Sequence, residues 1–319
     1  MVFDVSRLSE PDFVSENRLP AHSSHRYFKD WSEADIAHSS FITSLNGIWK
    51  FHYAKNFSGV VPGFEATDFD SREWDDIPVP AHIQLHGYDR PQYANTQYPW
   101  DGVDEIVPGE IPQRFNPVAS YITTFAHDEP LAPGERLTIT FNGAESAIAL
   151  WLNGTYIGYA TDSFTASEFD LTGAVVPGEN KLAAQVFKWT SGSWLEDQDF
   201  FRFSGIFRDV TLNRMPAVHV EDLHVTTPLS DDFSRATVKL KTRLTGSGRV
   251  TAVLEGVGEL HDDGEGGLEI AVENPRLWSS EDPHLYNLRI EVYDEGENLT
   301  EVVPQKVGIR RFRLEDGLL

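Results

Sequence analysis

The sequence predicts an all-β protein built as two successive sandwiches, a jelly roll and then an immunoglobulin-like unit. Three observations carry this. Short apolar/polar alternations of period two recur along the chain, Gly-containing turn signals separate them, and sustained helical periodicity is missing. Residues 1–40 are polar, with scattered aromatics such as Tyr27, Phe28 and Trp31, and read as an extended arm. Residues 41–216 form the first sandwich. Strands begin at Ser44-Leu45-Asn46-Gly47-Ile48-Trp49-Lys50-Phe51. Leu137, Ile139 and Phe141 alternate with Thr138, Thr140 and Asn142, as in a half-buried strand. Ala147–Leu152 and Tyr156–Tyr159 flank Asn153-Gly154, a strong hairpin signal, and Pro133-Gly134 and Pro177-Gly178 mark further turns. Residues 217–313 form the second sandwich, immunoglobulin-like but lacking a cysteine pair. There Val238, Leu240, Thr242 and Leu244, and later Tyr286, Leu288, Ile290 and Val292, alternate with polar residues. The acidic turn 262–267 lies between them. Residues 314–319, with two leucines after a Gly turn, are expected to begin a further strand of a domain that is not present.

With 319 residues the chain is long enough for two domains. Its net charge of −24 argues against nucleic acid and anionic membrane surfaces, both of which select basic patches. There is no cysteine, hence no disulfide framework or thiolate metal site. The N-terminus shows no basic segment followed by an apolar run, and no stretch approaches the roughly 20 apolar residues of a membrane helix. A cytoplasmic location is the expectation, and the sequons at Asn153 and Asn298 then carry no meaning.

The segment from Trp194 to Asp209 concentrates carboxylates, aromatics and arginines. Phe200, Phe201, Phe203 and Phe207 call for burial. Glu196, Asp197, Asp199, Arg202, Arg208 and Asp209 must then be paired or face a polar ligand, because a buried unpaired charge is costly. Aromatic walls with fixed carboxylates suit a sugar, which offers a C–H face and hydroxyl donors. Glu196 and Asp197 do not suit a catalytic pair, since adjacent strand residues face opposite ways, and are expected to hold the arginines and backbone of the loop. His82 and His86 have a chelating spacing, but Pro78, Pro80 and Gly87 around them speak against a helix and for a structural role. Trp100, Trp151, Trp189 and Trp194 are expected mostly in the core.

That segment resembles the corresponding stretch of the large bacterial lactose-hydrolysing β-galactosidases of glycoside hydrolase family 2. Further stretches resemble the same family in the same order: Asn17-Arg18-Leu19-Pro20-Ala21-His22, Ser44–Phe51, His86–Pro99, Glu273–Ser279 and Val307–Phe312. The resemblance implies a sugar-binding jelly roll, an immunoglobulin-like domain and then a catalytic (β/α)₈ barrel, for whose ~250 residues this chain has no room. It implies a retaining glycosidase whose two catalytic glutamates lie on the barrel, about 5 Å apart. No catalytic residue is assigned to these 319 residues. The resemblance assigns Asn95 and Asp199 to the galactose subsite, and Asp199 also to a sodium ion completed by the barrel. The bland alternatives are a self-capping turn for Asn95, and an ion pair with Arg202 or Arg208 for Asp199. No cofactor is expected in this chain alone, while the family uses Mg²⁺ and Na⁺. The implied partners are galactosides such as lactose, the barrel, and further copies in a homo-oligomer, commonly a tetramer. The expected function is the non-catalytic N-terminal portion of a β-galactosidase. A free-standing carbohydrate-binding module and a complementing subunit of a split enzyme are the alternatives.

Overall fold

A computed structural model describes residues 3–313, so the strand expected at 314–319 lies outside the described residues. The chain divides into two units. The first comprises Met1–Leu19, Ile42–Leu131 and Arg136–Arg214. The second comprises Pro20–Phe41, Ala132–Glu135 and Met215–Leu319.

The first unit is a sandwich of a seven-stranded and a four-stranded sheet. The larger sheet runs Ser15–Glu16, Thr155–Ala160, Ala147–Leu152, Gly178–Phe187, Val118–His127, Gly47–Ala54, Asp75–Val79, every neighbouring pair antiparallel. The smaller contains Ser167–Asp170, Arg136–Phe141, Val210–Met215 and Ile42–Ser44. One face of the large sheet meets the small sheet across a core of Trp49, Phe51, Tyr121, Ile139, Phe141, Leu150 and Phe169. Its other face is buried too, beneath Phe3, Leu8 and Phe64, which pack on Ala149, Trp151 and Phe187. This is why Ala147–Leu152, Ala-Ile-Ala-Leu-Trp-Leu, shows no alternation: all six residues are buried. The hairpin after it turns at Asn153 and Gly154, with φ of 51° and 78°, the pairing a two-residue type I′ turn requires.

The second unit packs two four-stranded sheets. One holds His219–Thr226, Arg235–Thr245, Leu268–Glu273 and His261–Asp262. The other holds Gly258–Glu259, Gly248–Leu254, Tyr286–Asp294 and Leu299–Val307. Val238, Leu240, Leu288, Ile290 and Val292 are buried, as the alternation requires.

The first forty residues divide between the units rather than forming one extended arm. Ser15–Glu16 adds a strand at the edge of the large sheet. Residues 20–41 belong to the second unit, where Phe28 exchanges backbone hydrogen bonds with Val302. There Trp31–Ile36 forms a helix where the sequence reads as an extended arm. Asp30 caps it by accepting from the Glu33 N–H at 3.1 Å, and the Trp31 indole donates to Glu291 at 2.7 Å.

Candidate functional site

Two loops of the first unit meet as a short antiparallel pair, Gln92–Ala94 against Phe200–Arg202. The register sets Phe200 opposite Ala94 and Phe201 opposite Tyr93. One step further out, the Asp199 N–H donates to the Asn95 carbonyl at 3.1 Å. Asp199 takes φ of 52°, in the left-handed region that Asp tolerates better than most side chains. The ladder brings the side chains of Asn95 and Asp199 to one exposed patch, joined through Tyr93. The Tyr93 hydroxyl donates to Asp199 Oδ1 at 2.6 Å and lies 3.4 Å from the Asn95 amide nitrogen, which donates to it. The Asp199 carboxylate, by accepting the phenolic proton, raises the Tyr93 pKa. The Tyr93 ring rests on Phe201, 4.7 Å between centroids. Asp199 Oδ2 and the Asn95 side-chain Oδ1 are left as acceptors in an exposed setting. Tyr93 was not singled out from the sequence. Its only signal is its place two residues before Asn95, on the same face of an extended strand.

Asp199 therefore bonds a phenol, not Arg202 or Arg208. Arg208 donates to the Phe164 carbonyl at 2.6 Å. Arg202 is 1% exposed and is taken up by three other carboxylates. Its guanidinium holds Asp197 through Nε at 2.6 Å, Glu145 through Nη1 at 3.1 Å and Glu196 through Nη2 at 3.4 Å. Burial pushes Asp197, Glu145 and Glu196 above the usual carboxylate range, against the pull of Arg202. Glu196 and Asp197 thus anchor the loop. A second buried pair lies nearby: Lys188 Nζ sits 2.5 Å from Asp89 Oδ2, which also accepts from Gln84 Nε2 at 3.0 Å. Gln84 donates in turn to the Ser204 hydroxyl at 2.8 Å and accepts from its N–H at 3.0 Å, tying the two loops together.

The four phenylalanines are not buried as expected. Phe201 is 59% exposed, and Phe200, Phe203 and Phe207 are half-buried. Asp197 and Arg202 are the charges of this segment that went inside, paired with each other and with buried Glu145, while the rings line the surface. Trp100, Trp151 and Trp189 are core residues, and half-buried Trp194 packs edge-on to Trp100 at 4.8 Å. His82 stacks on Phe207 at 4.9 Å, and His86 ends the one-turn helix Ile83–His86. Among the described residues no group of three or more His, Asp or Glu is placed to hold a metal ion. Asp199 is a hard oxygen donor suited to an alkali cation, but it is a single ligand.

Residues 42–216 match the family described as "Glycosyl hydrolases family 2, sugar binding domain", and residues 218–310 match "Glycosyl hydrolases family 2". The "Beta-galactosidase" of Halalkalibacterium halodurans is 44% identical over 331 residues, a match covering 99% of this chain and 32% of that protein. The "Beta-galactosidase large subunit" of Lactobacillus helveticus is 39% identical, covering 98% of this chain and 53% of that one. The chain thus spans only a third to a half of the relatives it matches. Among solved structures, a beta-glycosidase from Bacteroides vulgatus superposes with a TM-score of 0.64 at 19% identity, covering 86% of this chain and 34% of that one. The β-glucuronidase of Ruminococcus gnavus gives 0.64 at 20% identity, covering 93% and 47%. At those identities the structural likeness speaks for the fold alone.

Proposed function

The chain belongs to glycosyl hydrolase family 2, and from that premise we propose that it is the sugar-binding, non-catalytic portion of a β-galactosidase. The observation that carries this is the Asn95–Tyr93–Asp199 patch. It presents an amide and a carboxylate in a fixed relation on an exposed surface, the acceptors and donors that read hydroxyls on a neutral sugar. Tyr93 fixes the arrangement. Its hydroxyl occupies Asp199 Oδ1 and one Asn95 side-chain N–H, which orients Asp199 Oδ2 and Asn95 Oδ1 for substrate. The Arg202 cluster positions the strand from which Asp199 projects.

In this reading the two glutamates of a retaining hydrolase belong to a catalytic barrel outside these residues, and terminal β-galactosides such as lactose are the substrates. Asp199 supplies one oxygen ligand to a sodium ion whose other ligands come from that barrel. The magnesium of the family is likewise assigned outside the described residues. Assembly as a homo-oligomer is part of the same proposal. The name "large subunit" carried by several relatives favours a second arrangement, in which the complete enzyme is divided between two polypeptides.

The test is turnover of nitrophenyl β-galactoside. The purified chain alone is expected to give none, and the chain mixed with a separately expressed family 2 barrel is expected to give saturable hydrolysis. Hydrolysis by the purified chain, with contaminating enzyme excluded, overturns the non-catalytic reading. Stable association of the two pieces without activity overturns the subsite reading.

A further inference from the structure

The strand that carries Tyr93 on its exposed face has a cavity on its other face. Gln92, whose side chain points away from Tyr93 by the strand's alternation, lines a space of about 540 Å³. Lys55, Arg90 and Arg114 stand around it, with Tyr53, Val103 and Phe115. In a protein of net charge −24 this is a concentration of positive charge. Lys55 and Arg90 make no side-chain hydrogen bond or ion pair among the described residues. Arg114 has one loose partner, Asp104 at 3.5 Å, and is 79% exposed.

The one carboxylate in the lining, Asp89, does not neutralise these cations, because its charge is matched by buried Lys188 at 2.5 Å. The Asp89 side chain is 1% exposed, and its second oxygen, Oδ1, is buried and bonds nothing. Sealed in this way, Asp89 leaves the polar contacts of the cavity to Tyr53 and Gln92 beside the three cations. The lining therefore asks for a molecule that is anionic at one end and carries hydroxyl donors and C–H surface at the other. Val103 and Phe115 supply the apolar wall. Tyr53 adds a phenolic donor, its pKa pushed up to about 12 by burial first and by Asp89 second.

We propose that this cavity binds a phosphorylated sugar. The phosphate is held by Lys55, Arg90 and Arg114, and the sugar hydroxyls meet the polar side chains of Tyr53 and Gln92. Phosphate suits the three cations because its oxygens accept several charge-assisted hydrogen bonds at once. The site is distinct from the Asn95–Asp199 patch and does not depend on the galactosidase reading.

Calorimetric titration of the 319-residue chain at low salt, with glucose 6-phosphate, glucose and inorganic phosphate in parallel, tests it. Glucose 6-phosphate is expected to bind saturably in the millimolar range or tighter, glucose not at all, and inorganic phosphate about tenfold more weakly. The double variant Arg90→Gln/Arg114→Gln is expected to lose at least about tenfold in affinity with an unchanged far-ultraviolet spectrum. Lys55→Gln, a single exposed change, provides the same check should the double variant fold poorly. Absence of saturable binding by glucose 6-phosphate, or unchanged affinity in a folded variant, overturns the proposal. Equal affinity for inorganic phosphate overturns the sugar portion of it.

Discussion

Asp199 and Arg202 lie three residues apart in one segment, yet they occupy opposite physical regimes. Arg202 is sealed from water, and its nitrogens are consumed by Asp197, Glu145 and Glu196. Asp199 is exposed, held by one phenol, with an oxygen to spare. The difference separates two tasks for charge. The buried cluster gives the loop a single conformation at the cost of desolvation, and the exposed patch keeps acceptors available for a solute.

Breaking the buried half should do the most damage. Arg202→Met strips buried Asp197 and Glu145 of their guanidinium partner and is expected to cost about 3–5 kcal/mol in urea unfolding. A loss below about 1 kcal/mol would show that water already reaches the cluster.

The second unit holds a sharper contrast, a buried carboxylate with no cation beside it among the described residues. Glu301 is fully buried, accepts from the Val220 N–H at 2.9 Å, and has its other oxygen unpartnered. Burial pushes its pKa up to about 8. The folded state therefore keeps a proton that the unfolded chain releases near the ordinary value of 4.5. Stability from this group is fully present below that value and is lost as pH rises toward about 8. Glu301→Gln, which cannot ionise, should flatten this slope. Its advantage over the parent should grow with pH to on the order of a few kcal/mol, measured by thermal unfolding between pH 5 and 8. Parallel pH curves for the two proteins would contradict the assignment.

A backbone change sets the scale between these charge effects and the surface. Gly154 has φ of 78°, and the space around it admits a methyl group without close contact. Gly154→Ala should cost about 1 kcal/mol from conformational strain alone, read as a shift in urea midpoint. The smallest stability effect is expected on the exposed patch. Asn95→Ala and Asp199→Asn should each change unfolding stability by less than about 0.5 kcal/mol. A larger loss would mean that the patch serves the fold.

The strands were legible because their signals are local. The Asn153-Gly154 turn and the alternations of Leu137–Phe141 and Tyr286–Val292 specify strand and face within a few residues. Ala147–Leu152 was found from its hairpin, while its burial on both faces depends on Phe3 and Leu8, far away in sequence. The helix Trp31–Ile36 escaped notice because six residues are too few to show a period and its stability rests on Asp30 and Glu291. The joining of Asn95 with Asp199 was anticipated through family resemblance. Tyr93, which joins them, was not, because its partner lies 106 residues away. The burial of Phe200–Phe207 was misjudged for a similar reason. Buried Arg202 takes part of its pairing from Glu145, 57 residues away, and no local pattern announces it.

We propose that this chain contributes binding groups, and no chemistry, to a galactoside pocket completed elsewhere. The most direct test is galactoside hydrolysis by the chain assembled with a family 2 barrel, comparing the parent with Asp199→Ala at equal, verified association. A fall in kcat/KM of about ten- to a hundredfold is expected, since a hydrogen bond to a charged group is worth roughly 1.5–3 kcal/mol. Undiminished kcat/KM in the Asp199→Ala assembly would contradict it.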